Sequence, residues 1–341
     1  MAGGVAVDFL ELYEQAATRR TDLAGFYNRN VRVETDKGPV LVRIRSAASE
    51  PMDLACWSEA ELLAALDGHV PAAPGLLHAA RNPDFQVHEY VPGRRVDELA
   101  PDGQPLPEAV LKAIEGLFRT LLRVPAAALP PTAADWPQDG DTPGFAGMLL
   151  ALVREIRHRG DAAVHDLYEA LGVPDDPCRA FAARAHQLAR RPFRLLHGDI
   201  HRKNMIMNGD GRVSFLDWEL ALWGDPVYDL ADHLHKMSCT PGDRRTLTEA
   251  WERSAPEECR DGWRADLDFY LGYEAMKSVV VDTVRWGRRI AGTDDADERS
   301  RLSLELAGKL AAARPHWNAD APTLKEPREI EAAVVRCLMR S

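Results

Sequence analysis

The stretch FRLLHGDIHRKNMIMNGDGRVSFLDWELALWGDPVYDLADHL, Phe193 to Leu234, constrains the fold more than any other part of the chain. It reads as a short apolar strand Phe193–Leu196, a tight loop His197-Gly198-Asp199, a strand Met205–Met207, the turn Asn208-Gly209-Asp210-Gly211, and a returning strand Val213–Leu216 that delivers Asp217. Asn and Gly together supply the backbone conformations that a hairpin turn needs. The midpoint of positions 204 and 217 falls between 210 and 211, inside that turn, so closing the hairpin brings Asn204 and Asp217 to its open end. An amide oxygen facing a carboxylate, with Asp199 on the loop upstream, forms a hard-oxygen site. Such a site suits Mg²⁺, which takes one or two carboxylates and completes its octahedron with water and phosphate oxygens. Asp199, left off the metal, is placed to orient and partly deprotonate an alcohol attacking phosphorus. Alone, Asp199 reads equally as the cap of the next turn; in the company of His197, Asn204 and Asp217 the catalytic reading is the better one.

Charge excludes a protein that lives on nucleic-acid backbones, because 42 Lys plus Arg against 53 Asp plus Glu leave a formal charge of −11. No apolar run approaches the roughly 18 to 20 residues of a membrane helix. The N-terminal MAGGVAVDFLELYEQ lacks a basic n-region, and the five cysteines show no C-x-x-C pair. The expectation is a cytoplasmic protein with buried free thiols and no nucleic-acid or membrane partner, as a monomer or homodimer.

The 341 residues suit two domains. Residues 29–45 form a β-hairpin around Asp36-Lys37-Gly38-Pro39, with Val40, Val42 and Ile44 on one face of the second strand and Leu41, Arg43 and Arg45 on the other. A helix is expected over Pro51–Asp67, where Glu59 shares the face of Leu62, Leu63 and Leu66 and therefore requires a partner; Arg43 is the nearest candidate. A strand at 85–91 ends in Pro92-Gly93, a break. Beyond it, helices are expected at 106–124, 143–159, 161–171, 176–191, 226–238, 243–254, 263–290 and 298–313, with an irregular connection at 125–142. The fold class is thus α+β, with a small β-rich lobe over 1–93 and a large, mainly helical lobe over 94–341.

His197-Gly198-Asp199-x-x-x-x-Asn204, then Asp217-Trp218-Glu219, then Gly224-Asp225-Pro226-x-x-Asp229-Leu230-Ala231, resembles the signature of the aminoglycoside phosphotransferase and choline kinase family. The resemblance implies a bilobal protein kinase-like fold that moves the γ-phosphoryl group of ATP or GTP to a small-molecule hydroxyl. It implies Asp199 as the base, Asn204 and Asp217 as the Mg²⁺ ligands, Tyr27 and Asn28 as a cover over the phosphates, and backbone groups near Glu89 and Val91 as the purine contacts. In one respect the chain departs from the pattern. Kinase-like folds carry a strand lysine paired with a helix glutamate, whereas this strand carries Arg43 opposite Glu59. A guanidinium can bridge two phosphate oxygens and Glu59, so Arg43 is read as doing that work; the competing reading is a pseudokinase that binds nucleotide and acts as an interaction module.

Other residues carry weaker expectations. His197 and Asp229 read as braces of the catalytic loop. Arg202, between His201 and Lys203, is either a contact to the transferring phosphoryl group or part of a solvated basic turn. Trp218 and Glu219 border the acceptor pocket, unless Trp218 is core. Glu274 and a stripe of Ser278, Asp282, Arg285 and Arg289 form an acceptor wall or an exposed ion-paired face. Residues 240–300 hold 14 acidic and 10 basic positions, too even a balance to demand a polycationic acceptor. The Arg-rich usage with seven lysines is similar to that of high-GC actinomycete proteins. The expected acceptor is an antibiotic of aminoglycoside, nucleoside or peptide type, with a metabolite of homoserine, choline or sugar type as the alternative.

Overall fold

The computed structural model describes residues 8–19, 28–45, 54–317 and 325–339. The small lobe begins with helix α1 (Phe9–Thr18), capped by Asp8, whose carboxylate accepts from the Leu10 and Glu11 amides. Strands β1 (Asn28–Thr35), β2 (Gly38–Arg45), β3 (Leu76–Arg81) and β4 (Asp84–Glu89) form an antiparallel sheet in the order β1-β2-β4-β3. Period-two alternation turns Val31, Val33, Val40, Val42, Phe85 and Val87 to one face, where Leu12 and Ala16 of α1 cover them. Arg43 is buried as well, on the opposite face.

Helix α2 is Glu59–Leu66. It starts well after the expected Pro51 because Ser58 and Glu61 close a capping box, each side chain meeting the other's backbone amide. Its Leu62, Leu63 and Leu66 join the core of the large lobe rather than that of the sheet. The division expected at residue 93 therefore does not follow the packing at α2. Strand β4 stops at Glu89, short of the expected residue 91, and the chain then pairs β5 (Arg94–Arg95) with Met207 and Ile206.

The large lobe continues through α3 (Val96–Leu99), α4 (Glu108–Leu121), α5 (Thr142–His158), α6 (Ala162–Leu171) and α7 (Arg179–Ala185), the last much shorter than the 176–191 expected. Strands β6 (Arg194–Leu196) and β9 (Leu222–Gly224) pair antiparallel, and β7 (Met205–Met207) pairs with β8 (Val213–Phe215). Helices α8 (Pro226–Lys236), α9 (Pro241–Ser254), α10 (Trp263–Gly292), α11 (Ala296–Ala313) and α12 (Pro327–Leu338) complete it. Arg191, fully buried, ties the entry to β6 to the start of α8. Its Nη2 lies 2.7 Å from Asp225 and 2.6 Å from Asp266, and Asp225 caps α8 by accepting from the Val227 amide. Among the described residues no helix is long and apolar enough to cross a membrane.

Candidate active site

The strand pair β6/β9 carries the chain into the loop His197–Asn204. Gly198 has φ +71°, and a Cβ there would meet the Leu220 carbonyl oxygen at 2.4 Å, so only glycine lets the loop cross this strand end. Helix α8 lies beneath and grips the loop with one face. Asp229 Oδ1 accepts from the Gly198 amide at 2.8 Å, His233 Nδ1 bonds the Ile200 carbonyl at 2.9 Å, and Lys236 Nζ donates to the Gly198 carbonyl at 2.9 Å. Lys236 also donates to Asp199 Oδ1 at 2.7 Å. Burial by itself would raise the Asp199 carboxyl, but Lys236 and His201 hold it well below the ordinary range. Burial pushes Asp229 up to about 6.

The hairpin closes as its spacing predicts, with the Leu216 amide bonded to the Asn204 carbonyl at 2.8 Å. The Asn204 Nδ2 donates to Asp199 Oδ2 at 2.8 Å and to the Asp199 carbonyl at 3.1 Å. This fixes the amide and leaves its Oδ1 as the atom available to a ligand. Asp217 sits at φ 66°, a left-handed conformation rare outside glycine. Glu59 helps fix that turn, since its Oε1 accepts from the Trp218 amide at 3.0 Å.

Glu59 also meets Arg43 at 3.1 Å, the pairing expected from its place on the leucine face. The same Arg43 Nη2 lies 2.8 Å from Asp217 Oδ1 and 3.7 Å from Glu219. Burial alone would lower the Arg43 pKa, but the three carboxylates more than reverse that and keep the group cationic. Its Nε is buried and has no hydrogen-bond partner, an unspent donor beside the proposed metal carboxylate. Burial, then the Asp217 charge, pushes Glu219 up to about 8.

Several expected residues sit elsewhere than the sequence suggests. Tyr27 lies outside the described residues. Asn28 Nδ2 is bonded to Glu219 Oε2 at 2.6 Å, a contact that ties the lobes together. Trp218 is core: it is 1% exposed, donates to the Phe215 carbonyl and packs on the His197 ring at 4.4 Å. His197 braces the loop through that packing and not by hydrogen bonding, as neither ring nitrogen has a partner; burial pushes it down to about 4. Arg202 is neither a phosphoryl contact nor a solvated cation, since its buried guanidinium donates to the Met237, Ala100 and Gln104 carbonyls. The Glu89 amide donates to the Gly75 carbonyl at 2.8 Å, so a purine contact at Glu89 has to use its carbonyl; Val91 follows, half-buried.

On α10, Ser278 and Asp282 bond each other at 3.2 Å and both meet Lys309 of α11, at 2.6 and 2.7 Å. Arg289 pairs with Glu298, Glu274 is buried 4.0 Å from Lys277, and Arg285 is half-buried between them and the helix end. The stripe is thus largely an ion-paired packing face. Lys236, Asp232 and His233 were not singled out from the sequence; their spacing from Asp229, one helical face over two turns, is the signal that marks them.

Among the described residues no group of three or more His, Cys, Asp or Glu is arranged to hold a metal ion. A cavity of about 580 Å³ opens elsewhere, lined by Arg157, His165, Glu169, Asp175, Arg179 and Trp317. None of these belongs to the catalytic loop.

The family model described as "Phosphotransferase enzyme family" matches residues 18–269. No curated protein sequence matches the chain. Among solved structures it is similar to the choline kinase LicA from Streptococcus pneumoniae (14% identity, 89% of this chain and 98% of that one, TM-score 0.55). It is similar to the macrolide 2'-phosphotransferase MphH from Brachybacterium faecium (18%, 89% and 98%, TM-score 0.50). A thermostable mutant of the aminoglycoside phosphotransferase APH(4)-Ia, in ternary complex with AMP-PNP and hygromycin B, is also similar (15%, 85% and 92%, TM-score 0.51). These likenesses show the bilobal kinase-like fold.

Proposed function

The chain belongs to the phosphotransferase enzyme family, and from that premise we propose that it transfers the γ-phosphoryl group of ATP or GTP to a hydroxyl of an antibiotic, inactivating it. The observation that carries the reading is the Asp199–Asn204–Asp217 arrangement. A carboxylate kept ionised by Lys236 and His201 stands beside an amide whose nitrogen is committed and whose oxygen is free, across from a second carboxylate. Such a depressed carboxylate is a weak base, so Asp199 acts mainly by accepting the hydroxyl hydrogen bond and aiming the oxygen at phosphorus, taking the proton late.

The donor set fits Mg²⁺: Asn204 Oδ1 and the Asp217 carboxylate are hard oxygen ligands, and two protein ligands suffice where phosphates supply others. Bound there, the ion neutralises charge on the phosphates. Arg43, cationic and with an unspent Nε, is the group that meets the donor phosphates, Glu59 steadying it. The Glu89 carbonyl and the Val91 amide hold the purine edge.

The acceptor is tested with a panel of aminoglycoside, nucleoside, peptide and macrolide antibiotics together with choline, homoserine and methylthioribose, scored by Mg²⁺-dependent release of nucleoside diphosphate. Phosphorylation of an antibiotic, matched by resistance in an expressing host, is the expected result. Turnover confined to the metabolites overturns the antibiotic assignment. Nucleotide binding without transfer to any member identifies a pseudokinase.

A further inference from the structure

Lys236 ends α8 and is half-buried, with three oxygens around its ammonium. These are Asp199 Oδ1 at 2.7 Å, Asp232 Oδ1 at 2.8 Å and the Gly198 carbonyl at 2.9 Å. Hydrogen bonds to Asp199 and to the Gly198 carbonyl occupy two of the ammonium's three N–H donors, and Asp232 stands against it as an ion-pair partner. A cation committed to two carboxylates and a loop carbonyl braces the loop, unlike a lysine whose ammonium is left free for a phosphoryl group. What it can do is fix one oxygen of Asp199. The other, Oδ2, is steadied by Asn204 Nδ2 at 2.8 Å and lies 3.5 Å from His201 Nε2. With Oδ1 pinned from below, the rotation of the carboxylate is set, and a remaining lone pair on Oδ2 is the one presented to a hydroxyl.

We propose that Lys236 is a positioning residue for phosphoryl transfer, holding the Asp199 carboxylate in the orientation that receives the acceptor hydroxyl, with Asp232 as the buried counter-charge that fixes the ammonium. The inference rests on the reading of Asp199 as the residue facing the acceptor. Asp232 is 0% exposed, and no hydrogen bond of good geometry reaches either oxygen. Lys236, at 2.8 Å, is the foremost of the cations that act on it, ahead of Lys277. The geometry explains why a lysine at this helix end is useful here. Asp229, His233 and Lys236 stand at successive turns of α8, and they hold the Gly198 amide, the Ile200 carbonyl and the Asp199 side chain in turn. Two of these contacts fix backbone; only Lys236 fixes the reacting side chain.

The test measures kcat and the nucleotide KM for the panel member that the protein phosphorylates fastest, or for Mg·ATP hydrolysis with water as acceptor if none is phosphorylated. Lys236→Met is expected to lower kcat by roughly 100-fold, the order of loss for a misplaced catalytic group, with the nucleotide KM changed less than about twofold on the reasoning that Lys236 touches no donor phosphate. Lys236→Arg, which keeps the charge, should recover kcat to within roughly tenfold of the parent. Because Lys236→Met leaves Asp232 and Asp199 without their cation, Lys236→Met/Asp232→Asn, which preserves the net buried charge, is measured beside it and should show the same kcat loss. A kcat within about threefold of the parent in the double variant overturns the proposal, as does a kcat loss matched by an equal loss of nucleotide affinity in both variants, which marks a purely structural role. Asp199→Ala separates the two readings: unchanged turnover there removes Asp199 from the chemistry, whereas a dead Asp199→Ala with an active Lys236→Met removes only Lys236.

Discussion

Arg43 is where the electrostatics of the molecule converge. One buried nitrogen faces Asp217, Glu59 and Glu219, from two separate stretches of chain. A guanidinium suits the place because it stays charged when desolvated and spreads its donors over a plane. Removing one partner of a buried ion pair costs about 3–5 kcal/mol, because the partner left behind has lost its solvent and its counter-charge. Arg43→Met should therefore lower the urea-derived unfolding free energy by about that amount and raise the nucleotide KM. Combining Arg43→Met with Glu59→Leu should recover much of the stability and none of the KM, a result that would separate the ion pair's structural part from its part in nucleotide binding. The Arg43–Glu59 pair was legible in the sequence, because a carboxylate among leucines demands a cation. The Asn28–Glu219 bond was not: its partners are 191 positions apart, and neither stands on an apolar face that would betray a need.

At the scale of elements, the catalytic loop is a backbone crossing that tolerates no Cβ. Gly198 is left-handed and would press a methyl group into the Leu220 carbonyl, and the Asp229 and Lys236 bonds to its amide and carbonyl hold it in place. Gly198→Ala should cost at least about 2 kcal/mol, strain of 1–3 kcal/mol plus the clash, and abolish most transfer by displacing Asp199. Gly209→Ala, where nothing lies within 4 Å, should stay within about 0.5 kcal/mol of the parent. Urea unfolding of both variants checks this, and equal losses would discount the crossing. The hairpin around Gly209 was readable because turn chemistry is local. Strand β3 was not, since LLHAAR has no β-branched residue and becomes a strand only through pairing with β4. The polar stripe of α10 leaves both a wall and an exposed face open in the sequence for the same reason: Lys309, which takes up Ser278 and Asp282, comes from another helix.

The described residues pack into two apolar cores, a small one under the sheet and a large one through the helical lobe. They are joined by polar ties, among them Arg43–Asp217, Arg43–Glu59 and Asn28–Glu219. Whether the lobes unfold as one can be read through a buried histidine. His88 lies in the sheet, and burial, with Arg43 nearby, pushes it down to about 3. In the unfolded chain a histidine titrates near 6.5. The folded protein therefore binds fewer protons than the unfolded one between these values, and stability is lost as the pH falls below about 6.5. From pH 7.5 to pH 5 this one group withdraws about 2 kcal/mol, 1.5 units at 1.36 kcal/mol each. All eight tryptophans lie outside the four strands of the sheet, so their fluorescence reports unfolding of the rest. His88→Gln cannot titrate, and its deficit relative to the parent should shrink by about 2 kcal/mol between pH 7.5 and pH 5 in the tryptophan-monitored transition, because the ties make the sheet unfold together with the helical lobe. If the pH-dependent difference appears only in far-ultraviolet circular dichroism and not in tryptophan fluorescence, the lobes unfold separately. The polar ties would then orient the phosphate-holding face of the sheet without making the molecule cooperative.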